Sequence, residues 1–131
     1  QRILLANVID DEREAENLLS QTGSPLSSLS ARSRAAYCLG LISKNEFDDL
    51  NTIREIRNAF AHHIFDCSFE HSKIKEACSK LIHMPPALPS IRIGFNATIG
   101  SLDHILYERL LRTTRRSSPT PFINASSIEH R

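Results

Sequence analysis

Apolar residues recur at steps of three and four along most of the chain, the spacing that places them on one face of an α-helix. The first such run covers residues 2–20, and Asp11 and Glu12 fall inside its apolar arc. A loop rich in Gly, Pro and Ser follows, where Ser27 or Ser28 can cap a second helix. The apolar face of the first run consists of Leu4, Val8, Ala15, Leu18 and Leu19.

The start of a third helix is predicted from its capping residues. Ser43 and Glu46 have the spacing of a capping box, in which each side chain bonds to the backbone N–H of the other residue. The helix is therefore predicted to begin near Lys44 and to run to about His63. Residues 71–82 also have helical spacing, which predicts a fourth helix after a turn.

A last helix is predicted over residues 91–111, beyond the proline-rich link MPPALPS. Apolar and polar residues also alternate from Ile91 to Phe95, so a short strand is the competing interpretation there. The sequence then becomes rich in Ser, Thr, Pro and Arg, which is typical of a disordered tail. We predict one all-α domain over residues 1–113, an antiparallel bundle of four to five helices, with a mobile polar tail over 114–131.

Charge and cysteine content narrow the class of protein. The 131 residues carry a net charge of +1, so the whole molecule has no strong field for nucleic acid or membrane. The three cysteines are odd in number and form no CxxC pair, which favours reduced thiols in the cytoplasm. No apolar run is long enough to span a bilayer. The sequence opens at Gln1 inside an apolar pattern, and we expect that the natural chain begins upstream.

Arg57 breaks the apolar face of the third helix. At about 100° per residue, it projects within about 30° of the middle of that face. An ionised guanidinium that faces a core needs a partner. Asp11 and Glu12 interrupt the face of the first helix with the opposite charge, so we predict a buried ion pair between Arg57 and one of them. A phosphate-binding or catalytic arginine is the alternative.

One basic cluster and one group of possible metal ligands stand out. The basic cluster lies at the end of the last helix, where it is either solvated charge or a contact to a nucleic-acid backbone. The possible zinc ligands have a spacing that matches no established site, so we expect neither a metal nor a cofactor. The basic residues are Arg109, Arg112, Arg115 and Arg116, and the possible ligands are His62, His63, Cys67 and His71.

Four sequence words between residues 25 and 78 resemble a known family. They read PLSS-x-SAR, AY-x-LGLIS, DL-x-x-IR-x-IRN-x-FAH and SF-x-x-x-x-I. In this order they are similar to the mannitol operon repressor family of bacterial regulators. The resemblance implies an all-α domain, often a homodimer, that controls sugar-alcohol operons without the usual helix-turn-helix. It implies action through a protein partner or an indirect DNA contact.

A wider resemblance rests on Arg57-Asn58-x-x-x-His62, which is similar to the R-x4-6-H motif of HEPN domains. That group includes metal-independent ribonucleases, in which the resemblance implies that Arg57 holds a phosphate and His62 moves protons at a dimer cleft. On one straight helix Arg57 and His62 point about 140° apart, so they meet only across a dimer or at the helix end. The leading hypothesis is a non-enzymatic regulator, and the alternative is a HEPN-like endoribonuclease or its inactive relative.

Overall fold

The computed structural model describes residues 1–8, 10–62 and 68–113. Within these ranges the chain forms helices and no strand, which confirms the all-α fold and excludes the strand considered at Ile91. The predicted tail over 114–131 lies outside the described residues. The helices are α1 (Arg2–Leu5), α2 (Glu12–Leu19), α3 (Leu29–Cys38), α4 (Lys44–Ala61), α5 (Ser72–Ser79) and α6 (Ile91–Leu111).

The first predicted helix is two helices in the structure, because Asp11 starts a new one. Asp11 has an extended backbone, and its carboxylate accepts a hydrogen bond of 3.1 Å from the backbone N–H of Glu14. A short acidic side chain that bonds to nearby backbone in this way favours a cap over a helix interior. The prediction of one helix over residues 2–20 was therefore wrong, and Asp11 is exposed at the start of α2.

The local signals for the next two helices are confirmed. Ser28 caps α3 through its hydroxyl, and Gly40 follows that helix in the left-handed conformation with φ +69°. α4 begins at Lys44. The Ser43 hydroxyl accepts from the backbone N–H of Glu46 at 3.2 Å, and the Glu46 carboxylate accepts from the backbone N–H of Ser43 at 2.8 Å. The predicted capping box is thus complete.

α4 joins two hydrophobic clusters. The first cluster packs against the N-terminal half of α4 through Phe47 and Leu50, and the second against its C-terminal half. Leu50 contacts both clusters, so the neighbours of α4 change from the first cluster to the second at this residue. The buried members of the first are Leu4, Leu19, Ala36 and Ile42, and those of the second are Ile53, Ile56, Ile74, Cys78, Leu81, Phe95 and Leu102.

Among the described residues, no helix combines the length and the apolar composition that crossing a bilayer requires. α6 is the longest described helix, at 21 residues, and it supplies Phe95 and Leu102 to the second cluster.

Candidate functional site

Glu46 and Arg109 form an ion pair that joins the start of α4 to the end of α6. Both terminal guanidinium nitrogens of Arg109, Nη1 and Nη2, donate to the Glu46 carboxylate, at 2.7 and 2.8 Å, and Nη1 also donates to the carbonyl oxygen of Leu41 at 2.9 Å. The Glu46 side chain is only 6% exposed. The hydrogen bonds from Arg109, with the one from the Ser43 backbone, lower the pKa of Glu46. The pair raises the pKa of Arg109 in return.

This pairing corrects the interpretation of Arg109 as solvated charge or a nucleic-acid contact. Its guanidinium is committed to Glu46 and to a loop carbonyl, so it holds the fold together. Arg112 is exposed just beyond the end of α6. Arg115 and Arg116 lie outside the described residues. A contact between nucleic acid and these remaining arginines stays a prediction.

Asp49, one turn further along α4, was missed by the sequence analysis. It is fully buried, and its carboxylate accepts from the backbone N–H groups of Ile82 and His83, both at 2.8 Å. Nδ1 of His83 lies 2.7 Å from the same carboxylate. A signal was present, because Asp49 and Glu46 also project into the apolar arc that singled out Arg57. Asp49 therefore fixes the segment after α5 against α4.

Arg57 is exposed, and so are Asp11 and Glu12, so the predicted buried ion pair is wrong. The reason is how far along α4 the first hydrophobic cluster extends. The cluster that includes the N-terminal helices contacts α4 only up to Leu50, and Arg57 lies two turns beyond that point. The Asp11 carboxylate is used as the cap of α2 instead.

Asn58 and His62 are exposed with Arg57 at the C-terminal end of α4, and these three residues are called the α4 end group below. His62 is the C-cap, and its backbone N–H donates to the carbonyl of Asn58. Asn58 and His62 are four residues apart and share a face of the helix. A guanidinium can hold an anion and an exposed imidazole can move a proton, so the α4 end group has the side-chain types that the ribonuclease hypothesis assigns to it.

A groove of about 640 Å³ opens beside this end of α4. Phe60 and Phe69 are in ring contact there, with centroids 5.0 Å apart. The charged residues of the lining have opposite signs, and Glu70 pairs with Lys75 at 2.9 Å. The groove therefore has no charge preference for a polyanion. It is lined by Phe60, Ser68, Phe69, Glu70, Ser90 and Arg92.

The group of possible zinc ligands is only partly described. His63 and Cys67 lie outside the described residues. Nδ1 of His71 accepts a hydrogen bond of 3.3 Å from the backbone N–H of Lys73, so this imidazole caps α5. Within the described ranges, no three His, Cys, Asp or Glu side chains are grouped in a way that could hold a metal ion.

A protein-family model described as mannitol repressor matches residues 8–118 of the chain. The match covers every helix from α2 to α6 together with the α4 end group. The chain belongs to the mannitol repressor family. This result confirms the resemblance that rested on residues 25–78 and extends it over most of the chain. No curated protein and no solved structure matches the sequence.

Many repressors place a basic helix in the major groove of DNA, and in this mannitol repressor family member α2, α3 and α5 each carry a feature that differs from that arrangement. α2 carries three glutamates. Arg32 of α3 donates to the carbonyls of Leu26 and Leu19, at 2.7 and 2.6 Å, and is held inside the fold. On α5, Lys75 pairs with an acidic side chain. Arg32 and Lys75 are therefore engaged within the molecule.

Proposed function

We propose that the chain is a transcriptional regulator of the mannitol repressor type, which acts in the cytoplasm as a helical dimerisation and interaction module. The observation that carries this proposal is the family match over residues 8–118. Arg32 and Arg109 each donate hydrogen bonds to other groups of the same chain. Their engagement there supports action through a protein partner or an indirect DNA contact. The exposed α4 end group is the surface we assign to that contact.

A reporter experiment tests the regulatory role. The gene for this protein is deleted in its host, a reporter is placed behind the host's mannitol operon promoter, and the protein is then restored. We expect expression to rise on deletion and to fall on restoration. Arg57→Ala should weaken repression while the protein level stays constant, and Arg34→Ala, at an exposed arginine of α3, is the matched control. Unchanged expression after deletion would overturn the proposal.

The mode of DNA contact is tested separately with purified protein and fluorescent promoter DNA. An indirect contact predicts weak binding with no sequence preference. Direct contact through the basic end of the chain would give tight binding that falls steeply with salt, because each neutralised phosphate releases counterions. Tight, salt-sensitive binding that Arg112→Ala weakens would replace the indirect contact with a direct one.

A HEPN-like endoribonuclease is the second candidate. The observation that favours it is the exposure of Arg57, Asn58 and His62 at one end of α4, since a sealed Arg57 could not have clamped a phosphate. The test is incubation with structured and single-stranded RNA in the presence of a chelator. We expect no cleavage above background. Cleavage that both Arg57→Ala and His62→Ala abolish, in folded variants, would make the nuclease the correct function.

A further inference from the structure

The segment that joins α5 to α6 is fixed at both of its ends. At its start, the Asp49 carboxylate of α4 accepts hydrogen bonds from the backbone N–H groups of Ile82 and His83, both at 2.8 Å. At its end, Ser90 caps α6 through its hydroxyl. Residues 82–90 are called the α5–α6 link below. Polar groups therefore hold the two ends of the link.

Met84 packs the link against α6. It is the only methionine in the chain, it is half-buried, and it packs against the second hydrophobic cluster. Its terminal methyl group fills the space beside Gly94 in which any other residue would place a Cβ atom, because a Cβ built on Gly94 would collide with that methyl. The same Cβ would lie 3.5 Å from Cδ1 of Leu88, a second apolar side chain of the link. α6 therefore lacks a side chain at the point where Met84 contacts it.

The backbone of the link is strained beside this contact. Ala87 has φ +56°, and among the described residues it is the only one other than glycine in the left-handed region. A residue with a Cβ atom adopts this conformation at a cost in free energy, so the contacts around it must hold it there. Met84 and Leu88 lie on either side of Ala87 in the sequence, and both pack at Gly94. Loss of the Met84 contact would therefore let the link relax.

We propose that Met84 is an oxidation-sensitive switch, in which conversion of its thioether to the sulfoxide by a hydroperoxide releases the α5–α6 link from α6. A lone pair of the sulfur attacks one oxygen of the peroxide, so that an S–O bond forms and the O–O bond breaks. The sulfur loses two electrons and the peroxide is reduced. With hydrogen peroxide, the departing hydroxide takes up the remaining proton and leaves as water. Because Met84 is only half-buried, the oxidant can reach it.

The sulfoxide does not suit the site that the thioether occupies. Its oxygen is polar and needs a hydrogen-bond donor, whereas Met84 packs against the apolar side chains of the second cluster. The link would leave α6 while Asp49 continues to hold its start. Ser90 and Arg92 line the groove beside α4, so the release would change the shape of that groove.

Peroxide treatment of the full chain tests the switch. The chain is treated with hydrogen peroxide and then with dithiothreitol, which returns sulfenic acids and disulfides to thiols and leaves methionine sulfoxide in place. Mass spectrometry identifies the gain of one oxygen on the peptide that contains Met84. We expect the oxidised chain to melt about 5 °C or more below the untreated chain. Methionine sulfoxide reductase with dithiothreitol should restore the original melting temperature.

Met84→Leu is the matched control. Leucine keeps the apolar volume and cannot form a sulfoxide, so the same treatment should leave the melting temperature of this variant unchanged. The comparison also removes any contribution from the cysteines, such as the exposed Cys38, because both chains contain them. An equal fall in the melting temperature of Met84→Leu would overturn the proposal.

Hydrogen exchange shows where the oxidised chain opens. The backbone N–H groups of Ile93 and Gly94 donate to the hydroxyl and the carbonyl of Ser90. We expect exchange across residues 84–94 to become roughly tenfold faster or more on oxidation, while α3 exchanges as before. Equal acceleration in every helix would mean that the sulfoxide unfolds the whole protein, and no acceleration at all would mean that the site accommodates it. Either result would overturn the proposal.

Gly94→Ala tests the contact before any oxidation takes place. The added methyl group takes the space of the Met84 methyl, so we expect it to displace the link and to speed up sulfoxide formation at Met84 several-fold. Gly100→Ala is the matched control, because a Cβ at Gly100 would meet nothing within 4 Å. Sulfoxide formation at the same rate in Gly94→Ala as in the unsubstituted chain would show that Gly94 does not hold Met84, and the proposal would fail.

Discussion

The polar residues at the two ends of α4 differ in burial. At the N-terminal end, Glu46 and Asp49 are buried, and each carboxylate accepts hydrogen bonds from residues that lie far away in the sequence. At the C-terminal end, Arg57, Asn58 and His62 are all exposed. The same helix thus uses one set of polar side chains to hold the fold and leaves another set accessible.

This contrast separates stability from function. A buried carboxylate with two or three donors is costly to remove, because its loss strands those donors. An exposed polar group contributes little to stability, so its substitution can test contacts outside the chain without unfolding the protein. Substitutions along α4 should therefore divide into two groups, those that unfold the protein and those that leave it folded but alter its interactions.

The largest effect is expected at Asp49. Asp49→Ala would leave the backbone N–H groups of Ile82 and His83 without their acceptor, and we expect it to lower the free energy of unfolding by about 3 to 5 kcal/mol. Chemical denaturation measures this change. Asp49→Asn keeps one carbonyl acceptor and should lose less. If Asp49→Ala unfolds at the same denaturant concentration as the unsubstituted chain, the N-terminal end of α4 is not the anchor described above.

Arg109→Ala should have the next largest effect. It removes three hydrogen bonds and leaves the nearly buried carboxylate of Glu46 without its counter-charge. Because Arg109 is 37% exposed, water can partly replace it, and we expect a loss of about 2 to 3 kcal/mol. Arg112→Ala, at the exposed arginine one turn on, is the matched control and should change stability little. Equal losses in both variants would contradict a specific role for Arg109.

The Glu46 ion pair also predicts a pH dependence. Folding lowers the pKa of Glu46, chiefly through its hydrogen bonds with Arg109, so the ionised carboxylate stabilises the fold above its ordinary pKa of 4.5. That contribution is lost as the pH falls below this value through the lowered pKa. The difference in stability between the unsubstituted chain and Glu46→Gln should be largest near neutral pH and should shrink in acid. A constant difference from neutral pH into acid would contradict the prediction.

Ser43→Ala tests the capping box alone. The serine hydroxyl satisfies one backbone N–H at the start of α4, and its removal should cost about 1 kcal/mol. Ser28→Ala removes the equivalent hydrogen bond from α3 and provides a comparison of the same chemistry. Thermal or chemical unfolding measures both. A Ser43→Ala loss as large as that of Arg109→Ala would mean that the box and the ion pair act as one unit through Glu46.

The features predicted correctly from the sequence are those encoded by neighbouring residues. The caps at Ser28 and Ser43 and the left-handed Gly40 depend on spacings of a few residues, so they can be recognised in the sequence. The pairing of Glu46 with Arg109 joins residues 63 positions apart. No local pattern indicates which of several acidic residues such an arginine will meet, and this part of the fold could not be predicted.

The wrong prediction that Arg57 is buried has a related cause. Periodicity shows which side of α4 faces its neighbours, and Arg57 does project toward that side. The periodicity does not show how far along the helix those neighbours extend. The first cluster ends its contacts with α4 at Leu50, and beyond that residue the second cluster covers α4 through Ile53 and Ile56 and leaves Arg57 exposed. Candidate residues at the α4 end were therefore identified correctly by type and spacing, while their exposure required the structure.

The smallest stability effect is expected at the α4 end group. Arg57 and His62 are exposed, and no ion pair joins Arg57 to another described residue, so Arg57→Ala and His62→Ala should each change the free energy of unfolding by less than about 0.5 kcal/mol. Chemical denaturation of both variants beside Asp49→Ala makes the comparison direct. A loss of several kcal/mol in Arg57→Ala at dimer-forming concentrations, absent when the protein is dilute, would show that Arg57 is buried between subunits. The C-terminal end of α4 would then be part of the dimer interface. A loss of repression in Arg57→Ala would report on dimerisation instead of on contact with a separate partner.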